Sequence, residues 1–496
     1  MLHHFLRLCN DDPHSTFVDD YSRFGRIRSY TREAVLERAA AAADVLTELG
    51  VRAEDRVLLT VRNSVEWVVL DLATQFVGAV PAALAPQASA VHKQTFRDII
   101  EPAVIVAEDD CALAVHPGAI TVTDFFGRLP QKTSVPDWVN RYRYDPDRTL
   151  YLASTSGTTG GYKACMIRYR NALAACTGFG VNVPLGPDDR NTIFLPLAQT
   201  RVNDLYFFIV CGGTITFANP YADLFEQLVV HRPTFLASPP KFFELAMYRH
   251  ASDSRGRPLQ EVLGGADKLY TGTTPVSPDL LDYYRLMGAP LYEAYGMTEC
   301  CSYATANFPA DVRAETVGKP HAGIKVRITD ESEIEIAGPS VFAGYFGNPL
   351  ATAATLVEDW LRTGDLGEVD TDGYLTLLGR TKDTIALSTG KKFYPKAVEA
   401  ALSTLGSVVG AAVVGNGRER PVLIVHVSPE TESSRAAVRD ELDRCNAAYS
   451  FDERINDIAF VDRPFRIDEG ELTPTGKPIR HRIETVYHDL IERVSK

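Results

Sequence analysis

A basic excess is missing from this chain: 51 Lys and Arg stand against 64 Asp and Glu, a net charge of −13. That sign repels polyanions and argues against non-specific nucleic-acid binding. Long apolar runs are missing too. The longest, Val65 to Ala85, is interrupted by Glu66, Asp71 and Gln75. It is too polar to span a membrane and is predicted to be a buried helix leading into a strand. Cysteine is sparse, with eight in the chain, and only Cys300 and Cys301 lie close together. No C-x-x-C pair or metal-ligand spacing results. Scattered thiols suit a reducing compartment. His3, His4 and Phe5 do not make the charged start and apolar run of a secretory signal. A cytoplasmic setting is therefore expected. Internal repeats and low-complexity segments are also lacking.

What is present is enough for several domains. At 496 residues, 45% hydrophobic and 23% charged, the chain can bury a large total core. Thr31 can cap a helix with the apolar face Val35, Ala39, Ala42, Leu46 and Leu49, and Gly50 follows as a stop. Strand-like runs at 57–61, 103–106, 119–122 and 214–217 alternate with such helices, which predicts parallel sheets covered on both faces. Between Gly318 and Arg380 the pattern changes to short strands separated by turn pairs such as Gly338-Pro339 and Asp372-Gly373. A small β-barrel-like unit is expected there. Beyond residue 380, helices at 395–405, 434–445 and from 480, with strands at 410–414 and 422–427, predict a compact α+β domain. The expected organisation is α/β: a large domain over 1–380, and a smaller mobile one over 381–496. The smaller part is nearly neutral, so the first 380 residues carry almost all the negative charge.

The most informative segment is Ser154-Thr-Ser-Gly-Thr-Thr-Gly-Gly-Tyr-Lys163. Its glycines let backbone N–H groups turn toward one point, and its hydroxyls add donors, so it can cradle phosphate oxygens. A Walker loop needs Gly before the Lys and Ser or Thr after it. Tyr162 and Ala164 occupy those places, which disfavours a P-loop ATPase. Taken alone, the segment could equally be a solvated Ser/Gly loop.

Four further motifs follow: Tyr292-Glu-Ala-Tyr-Gly-Met-Thr-Glu299, Arg362-Thr-Gly-Asp365, Gly379-Arg-Thr-Lys-Asp383 and Pro474-Thr-Gly-Lys477. In this order the five segments resemble the adenylate-forming superfamily of acyl-CoA synthetases, peptide-synthetase adenylation domains and luciferase. The resemblance implies activation of a carboxylic acid by ATP to acyl-AMP, then transfer to a thiol. It implies that Thr155, Ser156, Gly157, Thr158, Thr159 and Lys163 contact the β- and γ-phosphates. Thr298 would touch the α-phosphate and Glu299 hold Mg²⁺, a hard ion suited to carboxylate. Asp365 would bind the ribose hydroxyls, with Arg380 beside them. Adenine would lie against Tyr295, Gly296 and the backbone of Thr271, Gly272 and Thr273. Lys477 resembles the lysine that bridges the carboxylate and α-phosphate, Lys382 sits at the family's hinge, and Gly390 matches the glycine of the pantetheine tunnel. Thr273 and Thr274 depart from the family's usual G-G-A-P.

The closest texture is that of fatty acyl-CoA synthetases, through Phe194-Leu-Pro-Leu-Ala198, Thr389-Gly-Lys-Lys-Phe-Tyr-Pro395 and Leu472-Thr-Pro-Thr475. Gln199, Tyr162 and Ala164 depart from that group, and the span from Leu197 to Thr271 lacks room for its helical insertion. A smaller or more open acyl pocket is expected, with walls from Gln199, Arg201, Thr271, Tyr295 and Met297. Asp204 keeps an amino-acid substrate open. Coenzyme A is the expected co-substrate. The alternatives are the phosphopantetheine arm of an acyl carrier protein, or a non-catalytic binding homologue.

Overall fold

The computed structural model describes the chain except residues 23–26, 131–134, 136–138, 140–144, 157–161, 275, 390, 448, 450–452, 473–477 and 496, and the side chains of 382 and 392. It forms two compact units. The first comprises Met1–Arg327, Glu335–Thr363 and Thr371–Leu375, and the second Ile328–Ile334, Gly364–Asp370 and Thr376–Lys496.

Two sheets build the first unit. Six strands are ordered 119–121, 104–107, 56–60, 80–83, 149–156 and 162–168, and nine more run from 319–320 at one edge to 28–31 at the other. The interior pairs are parallel, as alternation of strands and helices predicts. The edges are not: Thr16–Asp20 with Arg28–Thr31, Leu291–Met297 with Ser302–Ala306, and Thr149–Ser156 with Tyr162–Arg168 are antiparallel. The expected parallel sheets thus carry antiparallel hairpins at their edges, whose short connections cannot carry a parallel crossover. Helix Arg32–Glu48 begins where expected, with Thr31 Oγ1 accepting the Ala34 N–H at 3.1 Å. Helix Ala90–Ile100 buries Phe96 and Ile100 with Leu58, Ala82 and Leu152 of the six-stranded sheet.

In the second unit, strands Val408–Val414, Val422–Val427 and Asp457–Phe460 make a sheet whose alternate side chains enter different cores. Val413, Leu423 and Val425 meet Val398, Leu402, Val438 and Leu442 of helices Pro395–Ser403 and Glu432–Asn446. Ala412, Val414, Val422 and Ile424 meet Ile483 and Ile491 of the two C-terminal helices. The period of two along a strand thus produces a sheet sandwiched by helices. The expected final helix is two, Arg480–Val486 and His488–Val494, divided at Tyr487. Residues 325–380 supply the strands of a further five-stranded sheet.

Candidate active site

The strands on either side of the segment expected to bind phosphate pair with each other. Strand Thr149–Ser156 leads into the segment and Tyr162–Arg168 leaves it, with Thr155 paired to Lys163 and Ser156 to Tyr162. Gly157, Thr158 and Thr159 lie outside the described residues. The Tyr162 ring stacks on His92 at 3.8 Å with a 4° interplanar angle, and His92 Nε2 lies 2.7 Å from Ser154 Oγ. Tyr162, one of the departures from the fatty acyl-CoA synthetase texture, is therefore an aromatic with its own support on the neighbouring helix.

Lys163 and Glu299, far apart in sequence, share one neighbour. The Lys163 ammonium sits 4.4 Å above the Tyr345 ring, and the Tyr345 hydroxyl donates to Glu299 Oε1 at 2.8 Å. Backbone bonds hold Tyr345 in register: Met166 N–H donates to Gly344 O, Phe346 N–H to Ala164 O, and Phe342 N–H to Glu299 O. Glu299 itself is only 4% exposed. Burial, with this carboxylate beside it, pushes the Cys165 thiol up. One buried carboxylate fits Mg²⁺, which usually takes one or two carboxylates together with substrate phosphate oxygens. Among the described residues no group of three or more His, Cys, Asp or Glu could hold a metal alone.

Beside this arrangement is a cavity of about 300 Å³. It opens where several strands end: Ser154 near the end of Thr149–Ser156, Ser238 at the end of Phe235–Ser238, Gly272 after Lys268–Thr271, and Met297 at the end of Leu291–Met297. Carboxyl ends of strands are where open α/β sheets bind ligands. Gly272, Thr273, Gly296, Met297 and Thr298 line it on one side, and Gln199 and Arg201 on another. A Cβ at Gly296 would lie 1.7 Å from Ser302 O, and one at Gly272 2.4 Å from Ala294 O. Both positions need glycine because backbone approaches backbone. Thr273 keeps a left-handed backbone (φ 73°), and Cys301 and Ser302 follow suit at 61° and 101°. Such strained residues, here edging a cavity, cost about 1–3 kcal/mol each and cluster at functional sites. Thr271 and Tyr295 are buried beside these segments, in adjacent strands.

The opposite wall comes from a helical segment, Leu197–Arg201, and the π-helical turn Val202–Tyr206 that continues it. Turns of this kind recur at functional sites. Arg201, 3% exposed, lies between the rings of Trp67 and Tyr151, 4.7 and 4.5 Å from their centroids. Its Nη1 is 3.4 Å from Asp71 Oδ1. Asp71 Oδ2 also accepts from Tyr206 and Gln75. Arg201 thus lines the cavity with its charge matched by a buried partner.

In the second unit Arg380 Nε meets Asp365 Oδ1 at 2.8 Å. Lys382 lies in the turn Thr381–Asp383, while Gly390 and Lys477 fall outside the described residues. His92, Tyr345, Asn203 and Ser238 are additions that sequence reasoning missed. An aromatic in a turn-rich stretch, such as Tyr345, carries no local signal that separates it from a packing residue.

A two-unit α/β chain with paired strands around the segment expected to bind phosphate, a buried acid and a cavity at the strand ends is built as adenylate-forming enzymes are. The chain belongs to the AMP-binding enzyme family, matching it over residues 5–346 and the family's C-terminal domain over residues 382–496. It is 29% identical to the long-chain-fatty-acid–CoA ligase FadD15 of Mycobacterium bovis, over 92% of this chain and 90% of that protein. It is 27% identical to a 2-succinylbenzoate–CoA ligase of Bacillus cereus, over 76% and 79%. Among solved structures, ATP-bound MatB from Rhodopseudomonas palustris superposes with a TM-score of 0.79 at 25% identity, over 99% of both chains.

Proposed function

We propose that this chain is an AMP-forming acid–thiol ligase, converting a carboxylic acid and ATP to acyl-AMP and pyrophosphate, then to a coenzyme A thioester and AMP. The observation that carries the reading is Tyr345 joining Lys163 to Glu299 beside the cavity lined by Gly272, Gly296 and Thr298. Attack of a carboxylate oxygen on the α-phosphorus sets negative charge against negative charge, so positioning and charge compensation dominate. Lys163 and the hydroxyls of Thr155 and Ser156 hold the outer phosphates, and Thr298 the α-phosphate. Glu299 would hold Mg²⁺, which supplies charge neutralisation to the phosphates. Asp365 and Arg380 serve the ribose. In the second half-reaction the thiol attacks the acyl carbonyl carbon and AMP leaves.

The same reading assigns residues 1–380 to ATP and acid, and 381–496 to a mobile domain pivoting near Lys382. That domain presents Lys477 for adenylation and a thiol path past Gly390 for transfer, a hinge closure of a common kind. No described helix is long and apolar enough to cross a membrane, and the proposed setting is the cytoplasm.

The acceptor is coenzyme A rather than a carrier protein. Lys391, Lys392 and Lys396 flank Gly390, and short charge-assisted contacts to the anionic nucleotide end would favour it over pantetheine. The test compares coenzyme A, pantetheine and a pantetheinylated carrier as acceptors at low and moderate salt. Coenzyme A should far exceed pantetheine, and Lys391→Ala with Lys392→Ala should erase that advantage. A carrier preferred by about tenfold or more in kcat/KM, with an association rate that falls steeply with salt, would instead favour the assembly-line reading.

A further inference from the structure

We infer that the acid activated here is a short one bearing a hydroxyl group on its acyl chain, recognised by Asn203, Ser238 and Arg201. This rests on the ligase reading above and concerns the wall of the same cavity. The cavity is modest, about 300 Å³, and its far wall is polar. The π-helical turn contributes Asn203 and Asp204, and the facing strand end contributes Ser238. Around these polar groups the lining is largely apolar or aromatic, with Tyr151, Leu195, Ala198, Val202, Met297 and Tyr303.

Among the described residues, three buried atoms on these side chains lack a hydrogen-bond partner: Asn203 Oδ1, Ser238 Oγ and Arg201 Nε, while Arg201 Nη1 faces Asp71. Arg201 and Ser238 are 3% and 4% exposed. Buried polar atoms in native proteins are nearly always paired, so such a cluster in a cavity wall marks the place of a partner. An alkyl chain pressed against it would exclude water and supply none. A hydroxyl accepts from an N–H or O–H donor and gives its own proton to an amide oxygen, so it meets both kinds of unpaired atom.

Charge selects a neutral group. The Arg201 guanidinium already faces Asp71 at 3.4 Å. Asp204, bonded by Asn191 Nδ2 at 3.0 Å, adds another carboxyl to the wall. A second substrate carboxylate would meet Asp204 and compete with Asp71. A substrate ammonium would meet Arg201. Burial pushes Asp204 up to about 6, consistent with a wall that resists further charge.

The experiment measures acid-dependent ATP–pyrophosphate exchange with hexanoate, hydroxyhexanoates substituted at C3, C4 or C5, decanoate, adipate and 6-aminohexanoate. One hydroxyhexanoate should exceed hexanoate by about tenfold or more in kcat/KM, because a site built to bond a hydroxyl rejects the analogue without it. Asn203→Leu combined with Ser238→Ala should bring that ratio close to one. The ratio does not depend on the fraction of protein folded. Hexanoate, decanoate, adipate or 6-aminohexanoate at parity or better would overturn the inference, as would a ratio unmoved by the double variant. Exchange with alkyl acids alone removes only this inference. Exchange with no acid, while calorimetry still shows ATP binding, removes the ligase reading as well.

Discussion

Lys477→Ala is expected to cut acid-dependent ATP–pyrophosphate exchange by two orders of magnitude or more, while supplied acyl-adenylate is still converted to thioester. An ammonium about 4 Å from an anionic oxygen, at an effective dielectric near 20, is worth roughly 4 kcal/mol. That is about a thousandfold in rate if the contact is made only in the transition state. The contact belongs to adenylation, where the carboxylate and α-phosphate must approach, and not to thiol attack on the acyl carbonyl. The two half-reactions should therefore separate. Equal loss of both would remove Lys477 from this role and leave it a structural residue of the small domain.

Glu299→Gln should lower the adenylation rate by about a hundredfold or more and raise the Mg²⁺ concentration needed for half-maximal activity. The change keeps the side chain's size and removes its charge. Only an electrostatic role is affected, and losses of this order are typical when a pre-positioned charge-stabilising group goes. Tyr345→Phe is the companion variant. It removes the 2.8 Å bond to Glu299 but keeps the ring under Lys163, so its effect should be much smaller. A Mg²⁺ titration unchanged in Glu299→Gln would mean that this carboxylate does not hold the ion.

Much of the fold was legible because local rules and tertiary structure agree. Thr31 caps the helix it was expected to cap, and the strand at Thr214–Phe217 falls where its apolar run does. The sheet edges were less legible. A strand of a hairpin and a strand of a crossover unit share the same apolar run, and only the length of the connection separates them. For the site, the motif residues Lys163, Glu299, Gly272 and Gly296 announced themselves by type and spacing. The structure adds why two of the glycines are required, through the approach of Ser302 O and Ala294 O. Tyr345, His92, Asn203 and Ser238 were not legible, because their importance lies in contacts made across the fold. Arg201 was expected in the acyl pocket and does line the cavity, but its ion pair with Asp71 and its place between Trp67 and Tyr151 depend on two distant segments, helix Val65–Val77 and strand Thr149–Ser156.

The central claim is that ATP is cleaved between the α- and β-phosphorus by an acid that becomes a thioester. Incubation with ATP labelled at the α-phosphorus, Mg²⁺, a hydroxyhexanoate and coenzyme A tests it directly, with nucleotide products separated and thioester measured. The account predicts labelled AMP in amounts equal to pyrophosphate and thioester, and none without the acid. Labelled ADP with free phosphate, or AMP formed at the same rate without acid, would contradict it.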